Sequence, residues 1–315
     1  MNKWHHLAQQ EIIGLHTKVP LLQGGQTRYI NLDNAATTPP LRTVTRAVLS
    51  FLPWYSSVHR GFGYKSQLST ELYARARQLV LNFFGADPRK YTALFVKNTS
   101  EGLNKLAHRL PVSREEVLSS WMEHHSNDLP WRLRKQARFI ELTPEGTLDL
   151  GDLETKLKTS HPRIRLITVC GASNVTGVVN PLQTITELAH YYGAELAVDA
   201  AQLAPHFPMK LAGPHGAIDY LALSAHKMYA PFGTGVLIGP HAAFRTGIPD
   251  EVGGGTVLAC SREQVIFAPP PERDEAGTPN LIGAYALAVA LQWFAQHDLA
   301  SLARHEDQLT RYAFS

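Results

Sequence analysis

Between residues 93 and 238 the chain alternates short apolar runs with segments of helical period, and that alternation leaves few folds open to it. The runs fall at 93–96, 116–119, 138–142, 165–169, 195–198, 220–223 and 235–238, and most are too continuously apolar for strands with one face in water. Helices are expected between them at 101–109, 127–136, 150–159 and 183–192. The prediction is an α/β fold: a seven-stranded, mostly parallel sheet covered by helices on both faces. Upstream, a helix is expected at 41–52 with Val44, Val48, Leu49 and Leu52 on one face, and a longer one at 66–84 with Leu68, Leu72, Ala76, Leu79, Val80 and Phe83 in phase. A short strand is expected to open at Tyr29, ahead of a turn of small residues and Pro39-Pro40. Beyond Pro279 the pattern is helical through Ala313.

These boundaries suggest an N-terminal arm over 1–28, a large domain over 29–268, and a linker with the start of a C-terminal small domain over 269–315. The length of 315 residues suits such a division. Thirty Lys+Arg stand against 27 Asp+Glu, a net charge of only +3, so no basic face for nucleic acid is implied. Cys170 and Cys260 form no CxxC pair and no disulfide framework, which fits a reducing compartment. The fifteen histidines fall into no HxxH or HExxH spacing, so no metal site is expected. No apolar run is long enough to span a bilayer, and the cytoplasm is the expected compartment.

Ligands of open α/β sheets sit at the carboxyl ends of the strands, so the residues that follow each run carry the functional argument. After the first run come Lys97-Asn98-Thr99-Ser100-Glu101-Gly102, hydroxyls and free amides that open a helix and can cradle a phosphate. After the second come Glu123-His124-His125-Ser126-Asn127. The fourth ends in Ser173-Asn174-Val175-Thr176-Gly177, the fifth in Asp199-Ala200-Ala201-Gln202, and the sixth in Ser224-Ala225-His226-Lys227. A lysine at the mouth of a buried strand is partly desolvated, which favours the neutral amine that condenses with a carbonyl. Taken singly, each residue has a plainer reading: Lys227 as a solvated strand end, Asp199 or Thr99 as a helix cap, His124 as a structural histidine, Asn174 as a turn former. Taken together they match one cofactor. Pyridoxal phosphate needs a lysine for its aldehyde, hydroxyls and a helix start for its phosphate, and a carboxylate for its ring nitrogen.

The order of these residues resembles the class V aminotransferases, pyridoxal-phosphate enzymes of fold type I that include cysteine desulfurases and selenocysteine lyases. Leu32-Asp33-Asn34-Ala35-Ala36-Thr37-Thr38 is similar to the family's N-terminal signature and His59-Arg60-Gly61 to its substrate-side loop. Pro130-Trp131 continues the histidine segment, and Ala276-Gly277-Thr278-Pro279-Asn280 completes the series. The resemblance implies that Lys227 holds the cofactor covalently and shuttles the α-proton, that Asp199 pairs with the ring nitrogen, and that His124 stacks on the ring. It implies that Gln202 donates to the phenolic oxygen, and that Asn174 faces that oxygen or the substrate carboxylate. Thr99, Ser100, Ser224 and His226 would hold the phosphate, with Thr278 reaching it across a homodimer interface.

The implied reaction is removal of sulfur or selenium from a small amino acid to give alanine, with a sulfur-acceptor protein as a further partner. A C–S lyase, an epimerase, a transaminase and a non-catalytic sulfur-transfer scaffold are the alternatives. An NAD-linked oxidoreductase is disfavoured, because no GxGxxG follows the first strand. The family's substrate-gripping arginine and mobile-loop cysteine belong to a C-terminal small domain expected to be incomplete here, the chain reading as a portion of a longer one. Cys260 lies upstream of the nucleophile's place, and Cys170 reads as a small core hydrophobe.

Overall fold

A computed structural model describes residues 3–59, 61–213 and 216–315. The central sheet has seven strands: β1 (Tyr91–Val96), β2 (Val117–Ser120), β3 (Arg138–Ile140), β4 (Leu166–Cys170), β5 (Glu195–Asp199), β6 (Tyr220–Ser224) and β7 (Gly235–Pro240). Their spatial order is β1-β7-β6-β5-β4-β2-β3. Every neighbouring pair is parallel except those made by β7, which runs antiparallel to both β1 and β6. Strands β4 and β6 are buried at all five positions, as their continuous apolar runs require.

Alternate strand residues feed two cores. Ile167, Val169, Leu196, Val198, Leu221 and Leu223 pack on one side, and Leu166, Ala197, Tyr220, Ala222 and Leu237 on the other. The helices that cover them are α1 (Arg42–Phe51), α2 (Tyr64–Phe83), α3 (Thr99–Arg109), α4 (His125–Lys135), α5 (Leu150–Thr159), α6 (Leu182–Tyr191), α7 (Leu281–Ala295) and α8 (Leu299–Ala313). Helix α7 is apolar all round and packs on α1 and α2, with Ala284, Ala286, Leu287, Ala290 and Phe294 fully enclosed.

Among the described residues the structure departs from expectation at several places. The strand expected to open at Tyr29 is absent. The pairing there is instead Lys18–Pro20 with Gln26–Arg28, closed by Gly24 and Gly25 at φ near +85°, and Tyr29 and Ile30 lie exposed beyond it. A helix over Lys3–Glu11 precedes that hairpin, anchored by the buried Trp4. A second hairpin, Val257–Cys260 with Val265–Phe267, occupies a stretch with no strand expectation. The helical region expected beyond Pro279 breaks at residues 296–298, where the Asp298 carboxylate accepts from Ser301 N and starts α8 afresh. Among the described residues no helix is long and apolar enough to cross a membrane.

Candidate active site

The lysine turn is the most constrained piece of the site. Ser224 ends β6, and Ala225–Lys227 form one turn of 3₁₀ helix before the chain reverses. Thr38 clamps this turn: its backbone N–H and its hydroxyl both donate to the His226 carbonyl, at 3.1 and 2.9 Å, and its Oγ1 accepts from Tyr229 N at 2.9 Å. Tyr229 needs the clamp, because φ of +60° is rare for a bulky residue. Burial pulls the Lys227 ammonium below the usual lysine range, and the Asp199 and Asp33 charges oppose that pull. Burial and the Lys227 charge hold His226 low as well.

Thr99 and Ser100 begin α3, which Asn98 caps by accepting from Glu101 N at 3.0 Å. The Ser224 hydroxyl accepts from Thr99 N at 2.8 Å and lies 2.7 Å from Thr99 Oγ1, while Ser100 Oγ lies 2.5 Å from Ser126 Oγ. Four hydroxyls, in two pairs, thus gather at the amino end of a helix, where the backbone dipole favours an anion. Gly235 permits the approach: a Cβ there would lie 2.6 Å from the Leu223 carbonyl oxygen and 2.7 Å from Asn98 Cα.

His124 caps α4. Ser126 N donates to its Nδ1 at 3.1 Å, so the neutral ring carries its proton on Nε2. Asp199 ends β5, only 4% exposed, and its Oδ1 accepts from Ala201 N at 2.9 Å. Burial raises its carboxyl above the ordinary aspartate range, opposed by that backbone hydrogen bond and by the His124 and Lys227 charges. Gln202 donates to the Ala35 carbonyl at 2.7 Å and so fastens the 33–36 segment over the site.

These residues surround one cleft of about 440 Å³ at the carboxyl ends of the parallel strands. Its walls include Lys227, Asp199, His124, Thr99, Ser100, Asn174, Gln202, Ser224 and His226, all drawn from distant parts of the sequence. Thr278 is not among them; it is exposed on the loop before α7. His59 also stands apart, with φ of +61° and its ring edge-on to Tyr73, and Arg60 lies outside the described residues. Cys260 is exposed on the second hairpin. Cys170 lines the cleft, but burial, together with the Glu123 and Asp199 charges, pushes its thiol far up and keeps it protonated.

Strand-end reasoning assigned no role to Asp33, Ala35, Ser126 or Glu123, although all four stand in quoted motifs. Their parts follow from long-range packing, as with the Ala35–Gln202 bond across 167 residues.

The sheet order, the lone antiparallel strand and a lysine beside a buried carboxylate define an α/β enzyme fold of the fold-type-I class. A cysteine desulfurase from Thermococcus onnurineus, solved in its apo form, superposes with a TM-score of 0.80 at 35% identity, over 89% of this chain and 70% of that one. An Escherichia coli cysteine desulfurase in an S-sulfonic acid form gives 0.73 at 33% identity, over 85% and 68%. In sequence, a cysteine desulfurase of Klebsiella pneumoniae is 36% identical over 90% of this chain and 71% of its own length. A probable cysteine desulfurase of Streptomyces coelicolor is 34% identical over 91% and 70%. The chain matches the aminotransferase class-V family over residues 30–315, and it belongs to that family.

Proposed function

We propose that this chain binds pyridoxal 5'-phosphate in the cleft and acts as a cysteine desulfurase or selenocysteine lyase, removing sulfur or selenium from a small amino acid to leave alanine. The observation that carries the reading is the shared cleft of Lys227 and Asp199: a lysine held below its usual range beside a buried carboxylate. The donor set fits the cofactor, with hydroxyls at a helix start, one buried acid and one half-buried amine within a single cavity. Thr99, Ser100, Ser224 and His226 would hold its phosphate, Asp199 its ring nitrogen, and Lys227 its aldehyde carbon. Once bound, the cofactor supplies an electron sink for the carbon bearing the substrate amine.

The remaining chemistry belongs to the chain. Lys227, whose ammonium burial pulls below the usual lysine range, takes and returns the α-proton. His124 lies over the cleft with Nε2–H directed away from Ser126, as a proton donor. Gln202 keeps one amide hydrogen on Ala35 and has a second for the ring oxygen, beside Asn174. The balanced reaction is cysteine plus an acceptor thiol giving alanine plus a persulfide. Cys170 does not serve as that thiol, because it is held protonated. The acceptor would be another thiol, on the protein or on a sulfur-acceptor partner, and a homodimer would bring the partner's copy of the Thr278 loop to the phosphate.

Product analysis tests the assignment. Protein supplied with pyridoxal phosphate, cysteine and a thiol reductant should yield equal amounts of alanine and sulfide. Pyruvate with ammonia would indicate a lyase instead. Lys227→Ala should abolish both turnover and the visible absorption of the loaded protein, and a band that survives this substitution sinks the reading.

A further inference from the structure

Beside the lysine turn stands a hydroxyl that the chemistry above leaves without a part, that of Thr37. Its Oγ1 lies 3.0 Å from His226 Nδ1 and 3.4 Å from the His226 carbonyl oxygen, across 189 residues of sequence. Thr37 is exposed, yet its place is fixed from both sides. On one side Gln202 holds the Ala35 carbonyl at 2.7 Å, and on the other Thr38 binds the lysine turn through both its N–H and its hydroxyl.

Where the protons sit follows from counting lone pairs. The Thr38 hydroxyl accepts from Tyr229 N at 2.9 Å, and its own proton goes to the His226 carbonyl at 2.9 Å. The Thr38 N–H reaches the same oxygen at 3.1 Å, so both lone pairs of that carbonyl are taken. The Thr37 hydroxyl therefore has a poor acceptor in the carbonyl at 3.4 Å and a better one in Nδ1 at 3.0 Å. Burial and the Lys227 charge favour the neutral His226 ring, which carries a single proton. With Nδ1 accepting, that proton is on Nε2. The converse arrangement, Nδ1–H donating to Thr37, puts a bare lone pair on Nε2 and turns the Thr37 proton toward a carbonyl that is already filled.

We propose that Thr37 is a positioning residue that fixes neutral His226 as its Nε2–H tautomer, so that the ring serves the cleft as a hydrogen-bond donor to a phosphate group. His226 lines the cleft together with Thr99, Ser100 and Ser224, the hydroxyls at the amino end of α3. An anion in that corner takes donors from every side, and a ring nitrogen bearing only a lone pair repels it. Thr37 thus acts on the ligand through His226 without touching it. The phosphate part rests on the cofactor reading above, whereas the tautomer does not depend on it.

Protein labelled with ¹⁵N at its histidines, without cofactor and at about pH 8, tests the tautomer, the His226 signals being those missing from His226→Gln. Couplings to the ring hydrogens should show a protonated Nε2 and an unprotonated Nδ1. Thr37→Val removes the hydroxyl at nearly constant shape and should leave the ring a mixture of both tautomers, whereas Thr37→Ser should keep the wild-type pattern. A protonated Nδ1 in the wild type, or a pattern that valine leaves unchanged, overturns the proposal. Serine that behaves like valine assigns the effect to packing and overturns it as well. Titration with inorganic phosphate adds a second readout. The valine variant should bind it several-fold more weakly than wild type and the serine variant equally well, with Nε2 the nitrogen whose signal responds. Equal affinity in the valine variant and the wild type overturns the donor role. If the wild type binds neither inorganic phosphate nor pyridoxal phosphate, the cofactor reading fails, and the nitrogen pattern still decides the tautomer.

Discussion

Ionisable groups enclosed in and beside the cleft resist taking up their charges, and that resistance can be measured residue by residue. Glu123 holds its proton up to about pH 7 in the folded chain, whereas an unfolded glutamate releases it near 4.5. The folded state therefore binds more protons than the unfolded state between those values, and stability falls as pH rises through that window. Glutamine at 123 cannot ionise, so the unfolding free energy of Glu123→Gln relative to wild type should rise by up to about 3 kcal/mol between pH 4.5 and 8. Denaturant titrations at the two pH values measure this, and a constant difference would show that the carboxyl is not buried as drawn.

The two cysteines should separate as cleanly. A thiol reagent at pH 8 should modify the exposed Cys260 in the native protein and reach Cys170, 4% exposed, only on unfolding. Of the site itself, the residues that end strands were legible in the sequence, because position at a strand end is a local property. Glu123 was quoted without a role, since its contact with Asn127 depends on how that amide is turned, which Trp131 one turn on in the same helix and Thr168 of β4 together fix.

The elements that were legible are those whose burial is written into a local period. All seven sheet strands and helices α1 to α6 fall within a few residues of expectation, because continuous burial or a single buried stripe dictates their composition. The hairpins at 18–28 and 257–267 were not legible. The second has exposed residues at all four positions of Val257–Cys260, so no burial pattern marks it. The division of α7 from α8 was hidden because one capping aspartate, Asp298, interrupts an otherwise continuous helical stretch.

Close approach between elements is equally invisible to periodicity, and Gly235 is the example. Alanine there would drive Cβ into the Leu223 carbonyl and the Asn98 backbone, neither of which is a flexible side-chain tip. Gly235→Ala should cost about 1–3 kcal/mol by overpacking, and should displace the start of α3. In denaturant it should unfold early, and it should bind pyridoxal phosphate several-fold more weakly than an Asn98→Ala control, which removes only the cap, worth about 1 kcal/mol. Equal cofactor affinity in the two variants would show that the β7–α3 contact does not shape the cleft.

At the scale of the whole molecule, the strap at residues 272–275 ties the two faces of the sheet together. Asp274 pairs with Arg109 of α3 at 3.3 Å, both side chains at or below 1% exposure, while Glu275 pairs with Arg77 of α2 at 2.8 Å. Glu275 does more than balance a charge. Strand β1 is an edge strand, and its Phe95 N–H donates to Glu275 Oε1 at 2.7 Å, while the Tyr73 hydroxyl donates to Oε2 at 2.8 Å. One carboxylate thus closes a sheet edge that would otherwise present an unpaired donor, and it neutralises a guanidinium with 13% of its side chain exposed. Removing it leaves Arg77 charged and enclosed among Tyr73 and Phe95. Glu275→Ala should therefore destabilise the chain by about 3–5 kcal/mol, the range for breaking a buried pair from one side. The second substitution, Arg77→Met in the Glu275→Ala background, removes the stranded charge and should recover a substantial part of that loss. Equilibrium unfolding of the three proteins decides the matter. If the double variant is no more stable than Glu275→Ala, the cost lies in the open edge at Phe95 rather than in the orphaned guanidinium, and the strap acts through the backbone of β1.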